Sequence, residues 1–381
     1  MNKFKIAIIR PIGYPIDLKS YNSQEIGLAR ALTLQGVNVD VFLAGRTSKP
    51  ERQKIVTTGE GELHVYQLPY YKIPEIDHAI YPHLKGILIK NQYNLFHVNE
   101  ENEITSFLVA KLGKKIGVPV VIYQGMYQQL TGRIRAAFQT LYDHTVLPWL
   151  SKNIYLALAK TTSAEKHLKM KGFENTLVMP VGLDTSAFDN PTEIDWRAKL
   201  KISRQAKIIL YIGVFEKRRN IQFLLDLAKL FINKSDLFFV FVGKGDEFET
   251  AKIRTEKEQL VNVRLPGHIP QSELPSLYKE GTLFLLPSNY EIYGMVVLES
   301  MFFGVPVIST STAGPKDIIE NGIDGYLLDN LSQELWINLM NQVLENDNLH
   351  LFLKNNAINK IISKLTWDKL SKIYLSKVCR N

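Results

Sequence analysis

Residues 282–310 read TLFLLPSNYEIYGMVVLESMFFGVPVIST, and this stretch decides the fold. The apolar run TLFLLPS (282–288) ends in a turn that contains Gly294. MVVLESMFFG then reads as a helix stopped by Gly304, and a second apolar run, VPVIST (305–310), follows at once. Short strands with no polar alternation, joined through a helix, are the mark of a parallel sheet covered on both faces.

The same rhythm extends outward in both directions. In the first half the apolar runs are KIAII (5–9), VDVFL (39–43), LHVYQL (63–68), LFHVN (95–99), VPVVIY (118–123) and IYLALA (154–159). The second half adds KIILYIG (207–213), LFFVFVG (237–243), VNVRLPG (261–267) and DGYLLD (324–329). A chain of 381 residues exceeds the roughly 250–300 that one core supports, so two series mean two domains. The expected fold is α/β, with two doubly wound Rossmann-like domains over 1–180 and 181–364 facing across a cleft. VGLDTSAFDNPTEIDWR (181–197) breaks the rhythm between them. The tail, LTWDKLSKIYLSKVC (365–379), has helical apolar spacing at Leu370, Ile373, Tyr374 and Val378, and could pack on either domain.

Composition narrows the functional classes. With 45% hydrophobic and 22% charged residues the chain reads as globular, and no apolar run approaches the ~20 residues of a membrane span. MNKFKIAIIR reads as a strand and not a signal peptide. The single cysteine, Cys379, rules out an internal disulfide and a cysteine-cluster metal site. A cytoplasmic location is expected. Residues 1–180 hold 22 Lys and Arg against 14 Asp and Glu, an excess of +8, whereas the remainder balances at 24 against 24. Clusters such as Lys111/Lys114/Lys115, Arg133/Arg135 and Lys166/Lys169/Lys171 could meet anionic lipid or an acidic acceptor, or simply be solvated. Nucleic acid is not expected, because no recognition motif accompanies the charge.

Ligands of parallel sheets bind beyond the carboxyl ends of strands, so the residues following each run are the candidates. After 282–288, the backbone N–H groups of Gly294, Met295 and Val296 would open a helix, a ready site for a phosphate. Glu291 before that helix and Glu299 within it could each accept from a pair of sugar hydroxyls, or be ordinary surface acids. After 207–213 come Lys217, Arg218 and Arg219, which could meet a diphosphate or remain solvated. In VGKGDEF (242–248), Gly243 and Gly245 allow a tight turn beside a flat ligand such as a base, but the stretch fails as a dinucleotide fingerprint. RPIGYPIDLKS (10–20), with Gly13 and Tyr14, and the strand ends at His97–Glu100 and Gln124 would line the first domain's side of the cleft. An Asp-x-Asp pair, a His-x3-His pair, a Walker lysine loop and a Gly-x-Ser-x-Gly elbow are all missing, so no metal is expected.

As a set these residues resemble glycosyltransferase family 4, retaining enzymes of the GT-B fold. The resemblance rests on VMPVGLDTSAF (178–188), the element at 211–224, FVGKGDEF (241–248), VNVRLPGHIP (261–270), LLPSNYEIYGMVVLESMFFGVPVIST (285–310) and GPKDIIENGIDGYLL (314–328). The first half matches more loosely. What the resemblance implies is transfer of a sugar from a nucleotide diphosphate sugar, UDP favoured, to a hydroxyl of an acceptor. That acceptor would be a glycan or lipid-linked glycan precursor of cell-surface polysaccharide, with an anionic membrane surface as a further partner. By position, Glu299 would hold ribose hydroxyls, Glu291 the donor sugar, and the amides after Tyr293 the diphosphate. Arg219 falls where the family has a phosphate-pair lysine. Gly243, Lys244, His268 and Ile269 would border the base, and Gly13 would approach the diphosphate from the other domain. Tyr14, His97 and Gln124 fall on the acceptor side, and the tail helix 365–381 would return to the first domain. Two departures stand out: Val214 replaces a common arginine, and Gln124 a common histidine. A sugar-nucleotide epimerase of the same architecture, using His97 and Glu100, and a catalytically silent transferase partner are the competing readings.

Overall fold

The computed structural model describes residues 3–16, 23–55, 57, 59–73, 78–128 and 132–379; Asp17–Ser20 of the loop 10–20, and the tail's last two residues, lie outside them. The chain forms two compact units, Met1–Asp184 with Trp367–Asn381, and Thr185–Thr366.

The first unit is built on an eight-stranded sheet in the order Thr176–Val178, Leu156–Ala159, Val120–Gln124, Leu95–Asn99, Lys5–Ile9, Asn38–Ala44, Leu63–Leu68 and Glu51–Ile55. Every pairing is parallel except the last, where Glu51–Ile55 runs antiparallel to Leu63–Leu68. The apolar strands are buried on both faces, which is why they lack alternation. Glu51–Ile55 reads ERQKI, is almost wholly exposed, and was not expected as a strand. Its structure comes from pairing to its neighbour, with Lys54 bridged to Glu62 at 2.6 Å, and not from any pattern of its own.

The second unit carries a six-stranded, wholly parallel sheet in the order Val263–Gly267, Leu237–Val242, Lys207–Ile212, Leu283–Leu286, Val307–Thr310 and Tyr326–Leu328. The order reverses between Lys207–Ile212 and Leu283–Leu286. In the first unit it reverses between Lys5–Ile9 and Leu95–Asn99. Those two positions locate the places where a ligand can sit.

The C-terminal helix, Trp367–Val378, belongs to the first unit. Leu370, Tyr374 and Val378 are buried along one face, while Ile373 is 47% exposed and lies outside the stripe. The Tyr374 hydroxyl and His97 Nδ1 share a hydrogen bond of 2.9 Å. Trp367 occupies space left by two glycines: a Cβ on Gly27 would lie 2.6 Å from its indole, and one on Gly182 would lie 2.6 Å from its backbone nitrogen. Asp184 is held in the same unit by Arg30 at 2.9 Å. Because backbone cannot yield as a flexible side chain does, Gly182→Ala should destabilise the first unit by about 1–3 kcal/mol in urea denaturation. Wild-type stability in that variant would show that the helix is not seated as described.

Candidate functional site

In the second unit the loops following the two central strands diverge toward opposite faces of the sheet, which leaves a space at the strand ends. One loop runs from Gly213 through the 3₁₀ turn Lys217–Arg219 to Asn220, whose φ of 54° turns the chain into helix Ile221–Leu230. The other runs from Pro287 to Gly294 and enters helix Met295–Phe302. Side chains and backbone stitch the two together. The Asn289 amide donates to the Arg218 carbonyl (2.8 Å), and Arg218 Nη1 donates to the Tyr290 carbonyl (2.6 Å). Asn220 Nδ2 donates to the Pro287 carbonyl (2.6 Å) and to Asn289 Oδ1 (2.8 Å).

At the centre of the stitch Arg219 is ion-paired with Glu291, and its Nη1 also donates to Ser288 Oγ at 3.1 Å. Sequence reading gives these two residues separate ligands; the fold brings them into direct contact across 72 positions of chain. Burial first, and the Arg218 charge second, press the Arg219 pKa down from its ordinary value. Its Nε is buried without a hydrogen-bond partner, with Glu216 Oε1 at 3.6 Å. Lys217 is exposed and has no ion pair among the described residues.

Gly294 has φ 93°, where a side chain would be strained, and a Cβ there would lie 3.3 Å from Val297 and 3.4 Å from Glu291. Tyr293 just before it is buried, and its carbonyl would lie 1.8 Å from a Cβ on Gly314, so the turn is clamped from the following helix too. The first helical donor is Val297, bonded to the Gly294 carbonyl at 2.9 Å. The amides of Gly294, Met295 and Val296 have no acceptor among the described residues. They are three donors at the positive end of an eight-residue helix.

Glu299, one to two turns further along, is 4% exposed. Burial raises its pKa to about 7, although Tyr278 Oη (2.9 Å) and Gln271 Nε2 (3.2 Å) both donate to the carboxylate and act in the opposite direction. Gly243 and Gly245 both have φ 148°, but their bareness serves the chain itself. A Cβ on Gly243 would lie 1.8 Å from the Gly213 carbonyl, and one on Gly245 would lie 2.4 Å from the Phe215 carbonyl. Close backbone packing within the chain is therefore what requires glycine at both positions. Lys244 and His268 are exposed nearby on the ends of adjacent strands, while Ile269 is buried.

In the first unit two of the acceptor-side candidates, His97 and Gln124, are buried. His97 is 1% exposed, bonded to Tyr374, and pushed down to about pKa 4 by burial, so it is a neutral packing residue. Gln124 is wholly buried, its Oε1 accepting from the Glu101 amide (2.8 Å) and its Nε2 donating to the Met126 carbonyl (3.1 Å). Gly13 is buried, and Tyr14 is 53% exposed with the Arg10 guanidinium 4.6 Å from its ring. What sequence reading missed is a buried ionic cluster at the reversal point. Glu100, at φ 58°, accepts from the Gly125 and Met126 amides (3.2 and 3.1 Å) and from Lys160 (3.1 Å). Glu25 accepts from Ser23 (2.5 Å) and Asn99 (2.6 Å); burial raises its pKa, but Arg10, the Ser23 hydroxyl, its own backbone amide and Lys160 carry it below the usual carboxylate range. The sequence signal is NEENE (99–103), whose Asn99 and Glu100 fall at a strand end expected to line the cleft, and the topology buries the whole run.

Residues 192–360 match the family model described as glycosyl transferases group 1. An uncharacterized glycosyltransferase of Methanocaldococcus jannaschii is 24% identical over 91% of this chain and 90% of its own length. The UDP-Gal:alpha-D-GlcNAc-diphosphoundecaprenol alpha-1,3-galactosyltransferase of Escherichia coli is 23% identical over 77% and 78%. Among solved structures, the sucrose-phosphate synthase of Thermosynechococcus elongatus superposes with TM-score 0.76 at 19% identity, covering 98% of each chain. An Anabaena protein in complex with UDP and glucose superposes with TM-score 0.71 at 15% identity, covering 99% of each. These likenesses bear out the expected architecture, GT-B.

The Glu299 carboxyl makes a stability prediction. Between the unfolded value of 4.5 and the folded value of about 7 the folded state keeps a proton that the unfolded state has lost. Stability must then fall as pH rises through that window, by about 3 kcal/mol in total. Glu299→Gln should remove this component in denaturation curves taken from about pH 5 to about pH 8. An identical pH dependence in wild type and variant would place an ionised carboxylate in the free protein.

Proposed function

This chain is a glycosyltransferase of GT-B fold with a group 1 domain over residues 192–360, and from that premise we propose that it moves a sugar from a UDP-sugar to an acceptor hydroxyl with retention of anomeric configuration. The observation that carries this reading is the convergence of Arg219, Glu291 and three unpartnered amides at one strand-end space. A diphosphate needs positive charge and fixed donors, and a helix start beside a guanidinium offers both. Lys217 takes over the charge that Val214 does not provide, since Arg218 is already committed to Glu216 (2.6 Å) and the Tyr290 carbonyl.

In this scheme Glu291, oriented by Arg219, accepts hydroxyls of the donor sugar, and Glu299 accepts from the ribose. The amides of Gly294, Met295 and Val296 hold the phosphate that departs. Glu299 ionises as hydroxyls donate to it, so donor binding near neutral pH releases a proton. The departing phosphate takes the proton from the attacking hydroxyl, which leaves no role for a protein base. Positive charge from the chain itself replaces a metal ion. UDP is favoured because the Anabaena structure holds it and the E. coli relative is named for UDP-Gal. The latter's name also supports a lipid-linked acceptor and a place at a membrane surface; no helix among the described residues is long and apolar enough to cross a membrane. The epimerase reading gains nothing from the structure, because the His97 it would use is buried and neutral.

Thermal-shift screening of nucleotide diphosphates and their sugars should show UDP forms raising the melting temperature. With the best donor, Arg219→Ala and Glu291→Ala should each lower kcat/KM by about 10²–10³-fold with circular dichroism unchanged, and a chelator should have no effect. UDP release at near wild-type rates in either variant, or loss of activity with the chelator, would contradict the scheme.

A further inference from the structure

A groove lies on the first unit between helix Leu84–Lys90 and helix Ile104–Ile116. We propose that it binds an anionic membrane phospholipid, one hydrocarbon chain lying in the groove and the phosphate resting on Lys85, Lys111 and Lys115. The inference deepens the lipid-linked acceptor reading by seating the enzyme on the surface where such an acceptor resides, and it rests on that reading for its purpose alone.

Three observations specify the occupant. The groove is a cavity of about 420 Å³, within the roughly 300–1,000 Å³ of small-molecule sites. Its floor is Leu84, Leu88, Val109 and Leu112, all buried, so it offers mainly hydrocarbon contact. The two helices read LKGILIK and ITSFLVAKLGKKI, with five lysines and not one acid. Lys111 and Lys115 stand one turn apart at the rim, with Lys85 opposite. The lip is apolar as well, with Leu108 47% exposed. An acidic peptide would find the lysines but would leave its backbone unpaired over the apolar floor. A phospholipid satisfies both, with its headgroup on the cations and its chain on the floor.

The test uses the full chain and co-sedimentation with vesicles of phosphatidylcholine with and without phosphatidylglycerol. Wild type should bind the anionic vesicles and not the neutral ones. K85Q/K111Q/K115Q should weaken binding by about a hundred-fold, each lysine contributing about five-fold. Leu108→Glu, at an exposed position, should weaken it with no change in melting temperature. A phospholipid with a photoactivatable acyl chain should label residues of the two helices. Wild-type binding by the triple variant, labelling elsewhere, or no wild-type binding would overturn the proposal. So would light scattering that shows a lipid-free dimer dissociated by Leu108→Glu, because the groove would then be a self-interface. UDP binding is measured on every variant; its absence in wild type would sink the donor reading and leave the lipid result standing.

Discussion

Everything in the second unit that concerns chemistry depends on two loops being stitched together where the strand order reverses. A parallel sheet forces those loops apart at that point, and only side-chain and backbone bonds bring them back into register. The Arg219–Glu291 pair is the innermost stitch. A buried pair of this kind adds little net stability, because desolvating both charges offsets their attraction. Its consequence is positional: removing either partner strands a charge, so the two side chains hold each other beside the helix start. Gly294 completes the arrangement by adopting a backbone angle closed to other residues, which exposes three amides to the same space.

The sheets and the helix that Gly304 ends were legible because fully buried parallel strands are short apolar runs, and helix ends carry glycine. The turn at Gly294 that opens helix Met295–Phe302 was legible for the same reason. Pairing across distance was not. Nothing local to FEKRRN or SNYEIYG announces that Arg219 and Glu291 meet, since that contact is a product of strand order. The glycines at 243 and 245 were read correctly as a tight turn, but their neighbour is the loop 213–215 of the chain itself. Glu51–Ile55 shows the opposite limit: an exposed polar edge strand carries no burial signal at all.

In the first unit the same topological rule gathers charge inward. Glu25, Glu100, Glu101 and Lys160 are buried at the reversal point, and the left-handed backbone of Glu100 is strained for a residue with a side chain. The polar run 99–103 is buried because the loop that follows strand Val120–Gln124 closes over it, the Gly125 and Met126 amides donating to Glu100. His97 and Gln124 support that cluster, His97 through its bond to Tyr374 and Gln124 through its bonds to the Glu101 amide and the Met126 carbonyl.

The central claim is that a diphosphate is held by the amides that open helix Met295–Phe302. Amide chemical shifts in the full chain, labelled with nitrogen-15 and titrated with UDP and separately with uridine, test it most directly. The account predicts that UDP moves the Gly294, Met295 and Val296 resonances strongly downfield, as hydrogen bonds to phosphate form, and that uridine leaves them nearly in place. Equal movement with uridine, or UDP shifts confined to other loops, would contradict it.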